Sequence, residues 1–270
     1  ILLGLAAVVV VVAADRFWPR TDPVAPASTV ASAASDAASA AVNAASIAVL
    51  PFADLSPAGD QGYFSDGMAE EILNALVKVE GLQVASRTSS FGFKGQEALG
   101  VPAIAGKLAV RHILEGSVRR AGDTLRITAQ LIDAQSDRHL WSETFDRPLT
   151  AENVFAIQDD IARAIVAALV DSLDLKDVGD VAPAKPTANL TAYDLYLQAR
   201  AMFQARRDFA EADRLLAEAL AQDPAFAKAW ELRAAVMMMM DEYGGSALDA
   251  TEINRIATGY ADKALALDPR

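Results

Sequence analysis

The chain has 270 residues, which is long enough for about two domains, and 53% of them are hydrophobic. Asp and Glu outnumber Lys and Arg by 36 to 24, so the net charge is −12, which argues against nucleic-acid binding because phosphate backbones require a basic surface. The lack of cysteine excludes disulfides and thiolate metal ligands.

The chain begins with an apolar run. Residues 1–14 are apolar without interruption, and Trp18 follows among long cationic side chains. An aromatic residue beside long cations is typical of the end of a transmembrane helix. We therefore expect a transmembrane helix, truncated at its start, over residues 1–20. A signal peptide is the alternative, because Val12 and Ala14 would suit a small-residue cleavage site.

Two segments have the composition of linkers. Residues 21–46 are rich in Ala, Ser, Pro and Thr and contain few large hydrophobic residues, so burial cannot offset the entropy of ordering them. Residues 176–189 contain prolines and show no apolar periodicity. These breaks predict one domain over residues 47–175 and another over residues 190–270.

The first predicted domain alternates strands and helices in the order βαβαβββα, which is an α/β fold with a mixed sheet. A continuous apolar strand at residues 47–52 precedes an amphipathic helix. The next strand, at residues 82–86, should lie parallel to the first because a helix joins them. Pro102 suits the first turn of a second helix.

Three strands and a closing helix complete this domain. Residues 112–120 and 124–133 are predicted to form a hairpin, and the second of these strands alternates hydrophobic and polar residues, as expected of a sheet with one solvated face. Residues 139–145 form the last predicted strand. An apolar stripe then indicates a helix that ends near Leu175, with Val154, Ile157, Ile161, Ile165 and Leu169 on its buried face.

The last segment is repetitive and helical. The sequence ALAQDP at residues 219–224 recurs as ALALDP at residues 264–269. Tyr196 and Trp230 lie 34 residues apart, which is the tetratricopeptide period. We predict about two such repeats, with an insertion at residues 240–250, in an array that continues further because one unit cannot bury its hydrophobic face alone.

Several blocks of residues 47–175 carry a family resemblance. They include IAVLPFADLS, GYFSDGMAEEILNALVKV, HILEGSVRRAGDTLRITAQLIDA and HLWSETFDRPL. In this order they resemble the TolB amino-terminal-like domain of bacterial membrane-anchored proteins. The resemblance implies a periplasmic α/β domain, commonly followed by tetratricopeptide repeats. It also implies that an upstream cytoplasmic part can be a CadC-type winged-helix domain or a class III nucleotide cyclase, although some members have neither.

The turn after the first predicted strand is rich in Gly and Asp. Its glycines are loosely spaced, and the Lys and Ser/Thr of a P-loop do not follow. Asp54, Asp60 and Asp66 are too widely spaced for an EF-hand. We interpret the segment as a capped turn in which Asp66 caps the helix amides, and partner binding by the turn surface is the remaining alternative.

The imidazoles and an arginine cluster have ordinary explanations. His112 and His139 have no Ser, Cys or acidic pair at a suggestive spacing, so we expect core-edge or surface histidines and no catalytic triad. Arg119, Arg120 and Arg126 are interpreted as a solvated face. The alternative is that these arginines bind an anion or the carboxylates of a partner.

The predicted binding site lies in the helical repeats. By analogy with the family, the first helix of each repeat lines the groove, which would be faced by Asp194, Leu197, Ala201 and Gln204. The run of methionines at residues 237–240 is expected to pack within the repeats, and an adaptable binding surface is the alternative.

We therefore expect a non-catalytic protein of the bacterial inner membrane with a single span and with the residues after about 20 in the periplasm. It would bind a protein or peptide through the repeat groove and the lipid bilayer through its first helix, with no cofactor, metal or nucleic acid. The main alternative is the sensory part of a transmembrane transcriptional regulator or of an adenylate or guanylate cyclase. Hydrolase or kinase activity in the α/β domain is a third hypothesis.

Overall fold

A computed structural model describes residues 42–173, 186–242 and 248–269. The predicted transmembrane helix at residues 1–20 lies outside these ranges, as do most residues of the linkers predicted at 21–46 and 176–189. Within the described ranges, no helix combines the length and apolar character needed to cross a membrane.

A mixed β-sheet forms the centre of the α/β part. Its strands are β1 (Ser46–Val49), β2 (Ala53–Asp54), β3 (Gln83–Val84), β4 (His112–Ala121), β5 (Thr124–Asp133) and β6 (Arg138–Pro148). The order across the sheet is β3, β1, β4, β5, β6, and β2 also pairs with β4. The first three strands in this order are parallel, and β4, β5 and β6 run antiparallel. The predicted parallel pair and the predicted hairpin are both present.

The strand predicted over residues 47–52 is interrupted, and this part of the prediction is wrong. β1 ends at Val49, which pairs with Leu114, and β2 starts at Ala53, which pairs with Ser117. Residues 50–52 therefore lie opposite residues 115–116, three against two, which is a β-bulge. Pro51 accounts for the break because it has no N–H to donate to the ladder.

Helices pack on both faces of the sheet. They are α1 (Gly62–Leu76), α2 (Arg87–Phe91), α3 (Val101–Leu108) and α4 (Ala151–Leu173). The five residues of the stripe predicted on α4 are all fully buried in the main core. α3 covers a smaller cluster on the other face, where Ile104 packs with Leu50 and Ile113. Pro102 lies in the first turn of α3, as predicted.

The helical part follows as consecutive helices that each pack against the next. They are α5 (Leu190–Gln204), α6 (Phe209–Gln222), α7 (Ala227–Glu242) and α8 (Ala250–Leu267). Aromatic pairs join neighbouring helices. The rings of Phe203 and Phe209 are 6.2 Å apart, and those of Trp230 and Tyr260 are 5.5 Å apart.

The α/β part and the helical part belong to one compact unit within the described residues. A single cluster of buried side chains continues from the sheet and α1 into α5, α6 and α7. For example, Ile72 of α1, Tyr193 of α5 and Phe226 before α7 all belong to it. The two parts therefore share a hydrophobic core.

Candidate interaction site

Helices α1 and α5 meet along one face of each, and we call this contact the α1–α5 seam. Its residues are Tyr63, Gly67, Glu70 and Glu71 on α1 and Asp194, Leu197, Arg200 and Gln204 on α5. Neighbouring contact residues on each helix are mostly three or four positions apart, which is the spacing of one helix face. The contacts advance in the same direction along both helices, so α1 and α5 run roughly parallel.

At one end of the seam, Asp194 accepts hydrogen bonds from two residues of the α/β part, in addition to one from Gln198 of its own helix. The Tyr63 hydroxyl donates to Asp194 Oδ2 at 3.1 Å, and Arg120 Nη1 of β4 donates to Asp194 Oδ1 at 2.6 Å. Burial and the Asp194 carboxylate raise the pKa of Tyr63 to about 12, so the phenol keeps the proton that it donates. Arg120 thus binds a carboxylate of its own chain, and its interpretation as a solvated residue is wrong.

In the middle of the seam, a glycine allows close helix contact. A Cβ atom built on Gly67 would lie 2.7 Å from Leu197 Cδ2 and 3.0 Å from Leu197 Cδ1. Leu197 is only 2% exposed, so it has little room to move aside. The absence of a side chain at position 67 therefore sets the distance between α1 and α5.

At the other end, acidic residues of α1 meet cations from several elements. Glu71 is 4% exposed, and it accepts from Arg200 Nη1 at 3.2 Å and from Lys228 Nζ of α7 at 3.0 Å. Glu70 Oε2 accepts from Arg87 Nε of α2 at 2.6 Å and lies 3.2 Å from Arg200 Nη2. Such buried charges are tolerated because each has a partner of opposite sign, and removal of one partner is costly.

The four residues predicted to face a repeat groove lie on or beside the seam. Asp194 and Leu197 are engaged as described, and Ala201 is partly buried. Gln204 donates through Nε2 to Glu70 Oε2 at 3.2 Å and accepts from Arg87 Nη2 at 2.6 Å. In this arrangement Asp194 and Leu197 are covered by the α/β part of the same chain. Binding of a separate partner by the four residues stays a prediction.

The turn between β2 and α1 is organised by Asp54 and not by Asp66. Asp54 Oδ2 accepts from the Gln61 N–H at 2.7 Å, and Oδ1 accepts from the Ser56 N–H at 2.9 Å. Partial burial opposes its charge, but these hydrogen bonds hold the pKa of Asp54 below its ordinary value. Asp66 lies inside α1, where Oδ2 accepts from Lys94 Nζ at 2.6 Å. The prediction that Asp66 caps the helix is therefore wrong.

The remaining candidate residues have structural surroundings. His112 is buried, with Nδ1 3.1 Å from the Ser46 carbonyl oxygen, and burial keeps its pKa below the usual value. His139 is exposed on β6, which agrees with the interpretation of both histidines. In the methionine run, Met237 is buried and Met238 is 44% exposed. The run therefore packs within the helical part while presenting one side chain to solvent.

The sequence of the chain is similar to that of known proteins. Residues 43–164 match the family described as HilA/YgeH-like transcriptional regulator, second domain. The chain is also 42% identical over 185 residues to "Putative adenylate cyclase 3" of Rhizobium meliloti (strain 1021). That alignment covers 67% of this chain and 31% of the relative, so the chain spans about a third of the relative's length. The chain is thus similar to a domain of transcriptional regulators and to part of a protein named as a putative adenylate cyclase.

Two solved structures of bacterial proteins align with about half of the chain. TolB from Acinetobacter baumannii is 17% identical, and the alignment covers 47% of this chain and 28% of the TolB chain, with a TM-score of 0.32. Lipoprotein GNA1162 from Neisseria meningitidis is 20% identical, and the alignment covers 48% of this chain and 99% of the lipoprotein chain, with a TM-score of 0.33. These scores are too low for either likeness to carry an argument about function.

Proposed function

We propose that the chain is the regulatory, protein-binding part of a longer bacterial signalling protein and that it is not itself catalytic. The observation that carries this proposal is the 42% identity over 185 residues to a protein named as a putative adenylate cyclase, of which the aligned part makes up only 31%. The match of residues 43–164 to a transcriptional-regulator domain supports the same role. Both descriptions name signalling proteins, and in each case the match covers one part of the named protein.

The proposed mechanism is coupling through the α1–α5 seam. A protein or peptide that docks on the helical part would act on α7, because Lys228 of α7 contacts Glu71 of α1 directly. A change in the packing of α7 would thus reach the α/β part through an ion pair whose carboxylate is buried. We assign the helical hairpins to the tetratricopeptide class, supported by the 34-residue spacing of Tyr196 and Trp230 and by the stacking of each helix on the next.

The proposed location is the inner membrane, with the described residues in the periplasm. This part of the proposal is supported by the apolar run at residues 1–14 and by Trp18 among cations. The net charge of −12 supports partners other than nucleic acid.

A segment exchange in the Rhizobium meliloti relative tests the proposal. One variant lacks the 185-residue segment that aligns with this chain, and a second carries the corresponding residues of this chain in its place. Cyclic AMP is measured in a host that lacks other adenylate cyclases. We expect the deletion to change cyclic AMP output by about fivefold or more, which is the lower range of typical coupling between sites, and the exchange to restore it within about twofold.

Two substitutions in the exchanged segment make this experiment specific to the seam. Glu71→Gln removes the buried charge that joins α1, α5 and α7 and should reproduce much of the deletion phenotype. Glu211→Gln alters an exposed pair with Arg214 within α6 and should behave like the unsubstituted exchange. An unchanged output after deletion, or cyclic AMP synthesis by the isolated 270-residue chain, would refute the proposed function.

A further inference from the structure

A pocket lies beside the β-bulge after β1, on the face of the sheet that α3 covers. Leu50, Pro51 and Ala53, at and next to the bulge, line it together with residues 115–117 of β4. The pocket has a volume of about 300 Å³, which is at the lower end of the range for small-molecule sites. None of the residues of the α1–α5 seam lines it.

The pocket has an apolar side and a polar side. Its apolar wall is formed by Leu50, Pro51, Phe93, Val101 and Ile104. Its polar side is formed by Glu115, Ser117 and Gln130 of the sheet, and the exposed Glu97 also lines the opening. Glu115 and Gln130 are direct cross-strand partners, so their side chains emerge next to each other. A ligand would therefore meet apolar and hydrogen-bonding groups at the same time.

In the described part of the chain, the acidic groups of the pocket form no direct ion pair, although His139 acts on Glu115 and Lys107 Nζ lies 5.9 Å from the centre of the Phe93 ring. Within the described ranges, neither Glu115 nor Glu97 forms an ion pair, and no cationic side chain lines the pocket. Glu97 Oε1 accepts only from the nearby Gly95 N–H, at 3.0 Å. Glu115 is half-buried, and burial raises its pKa, because this desolvation outweighs the opposing electrostatic effect of His139. A half-buried carboxylate of this kind is stabilised by any cation that reaches it.

We propose that this pocket binds a small organic cation with an apolar body, with the charged ammonium or amidinium group on Glu115. Ser117 Oγ and the Gln130 side-chain oxygen can accept the remaining N–H groups of such a ligand. The apolar body packs against Phe93 and Ile104, which are partly and fully buried. An anionic ligand of the same shape is repelled by Glu115 and Glu97. This site goes beyond the proposed function, since it requires neither a protein partner nor an effector domain.

The test measures binding of three probes of similar shape to the complete 270-residue chain. The probes are phenethylamine, which is a cation at neutral pH, 2-phenylethanol, which is neutral, and phenylacetate, which is an anion. Affinities are obtained by isothermal titration calorimetry, and the location by changes in the NMR signals of Phe93 and Ile104. We expect phenethylamine to bind with a Kd below about 1 mM and the neutral probe to bind about tenfold or more weakly.

Three variants assign the binding to the pocket. Glu115→Gln keeps the side-chain shape and should reduce the affinity for phenethylamine to that of 2-phenylethanol. Ser117→Leu fills the pocket and should abolish binding of both probes. Glu143→Gln is the matched control, because Glu143 is exposed on β6 outside the pocket, and it should leave all affinities unchanged.

The outcomes separate clearly. Binding of phenethylamine no stronger than that of 2-phenylethanol, or no saturable binding at all, would overturn the proposal. An unchanged affinity in folded Glu115→Gln would do the same. If Glu115→Gln or Ser117→Leu does not fold, the wild-type NMR data decide, because saturable changes at Phe93 and Ile104 must occur with the amine and be absent with phenylacetate.

Discussion

Gly67→Ala should loosen the seam between α1 and α5. The added Cβ atom would lie 2.7 Å from Leu197 Cδ2. This is well below the optimal separation of two carbon atoms, about 3.5–4.0 Å, so the two atoms would repel each other. Leu197 is 2% exposed, so relief requires either an unfavourable rotamer or a shift of the whole helix. Overpacking of this kind typically costs about 1–3 kcal/mol.

The same substitution at Gly106 supplies a control that should raise, and not lower, the free energy of unfolding. Gly106 is also helical, but an added Cβ would meet no atom within 4 Å. Gly106→Ala should therefore show only the helix-propensity gain of about 0.5–1 kcal/mol. Gly67→Ala makes the same gain but also suffers the clash, so the free energy of unfolding of the two variants should differ by about 1–3 kcal/mol.

The assay is urea denaturation followed by circular dichroism, with thermal unfolding as a second measure. For a chain of this size the two variants should differ by about 2–12 °C in Tm. The double variant Gly67→Ala, Leu197→Ala should be more stable than the sum of its single effects, because the truncated side chain at position 197 no longer meets the new Cβ. Equal stability of Gly67→Ala and Gly106→Ala would refute the claim that Gly67 sets the helix distance.

Three further outcomes test other parts of the structure. Glu71→Gln should lower the free energy of unfolding by about 2–4 kcal/mol in urea denaturation, because it removes the buried negative charge that Arg200 and Lys228 contact, and a stability equal to that of Glu211→Gln would contradict this. Partial burial opposes the charge of Asp133, but hydrogen bonds from Arg111 and Ser136 lower its pKa to about 2. The ionised Asp133 therefore stabilises the fold above about pH 4, and this stabilisation is lost as the pH falls toward about 2. The Tm deficit of Asp133→Asn should accordingly shrink over that range, and a constant deficit would count against it. The variant Ser32→Cys of the complete protein should react with an impermeant maleimide in cells whose outer membrane is permeabilised and whose inner membrane is intact. Labelling only after lysis would contradict the periplasmic location.

The elements that could be predicted from sequence are those whose burial repeats at a fixed interval. The alternation along β5 and the stripe on α4 leave a visible pattern because one face of each is buried against the core. The break at Pro51 has a sequence signal too, since proline interrupts a strand ladder. The apolar pattern by itself indicates a continuous strand and does not register this residue.

The details of the seam could not be predicted because they depend on contacts between distant residues. Tyr63 and Asp194 are 131 positions apart, and no local pattern indicates that they meet. The assignment of the cap failed because α1 begins at Gly62, which places Asp66 inside the helix. One signal could have been used: Gly67 lies in the middle of an amphipathic helix, where a glycine often marks close packing.

Glu71 has a consequence for how the two parts can separate. Its carboxylate contacts Arg200 on α5 and Lys228 on α7, so three helices share one buried charge. Moving any one of these helices away from the others would separate the 4%-exposed Glu71 from at least one of its cations, which is unfavourable. We therefore expect α1, α5 and α7 to shift together.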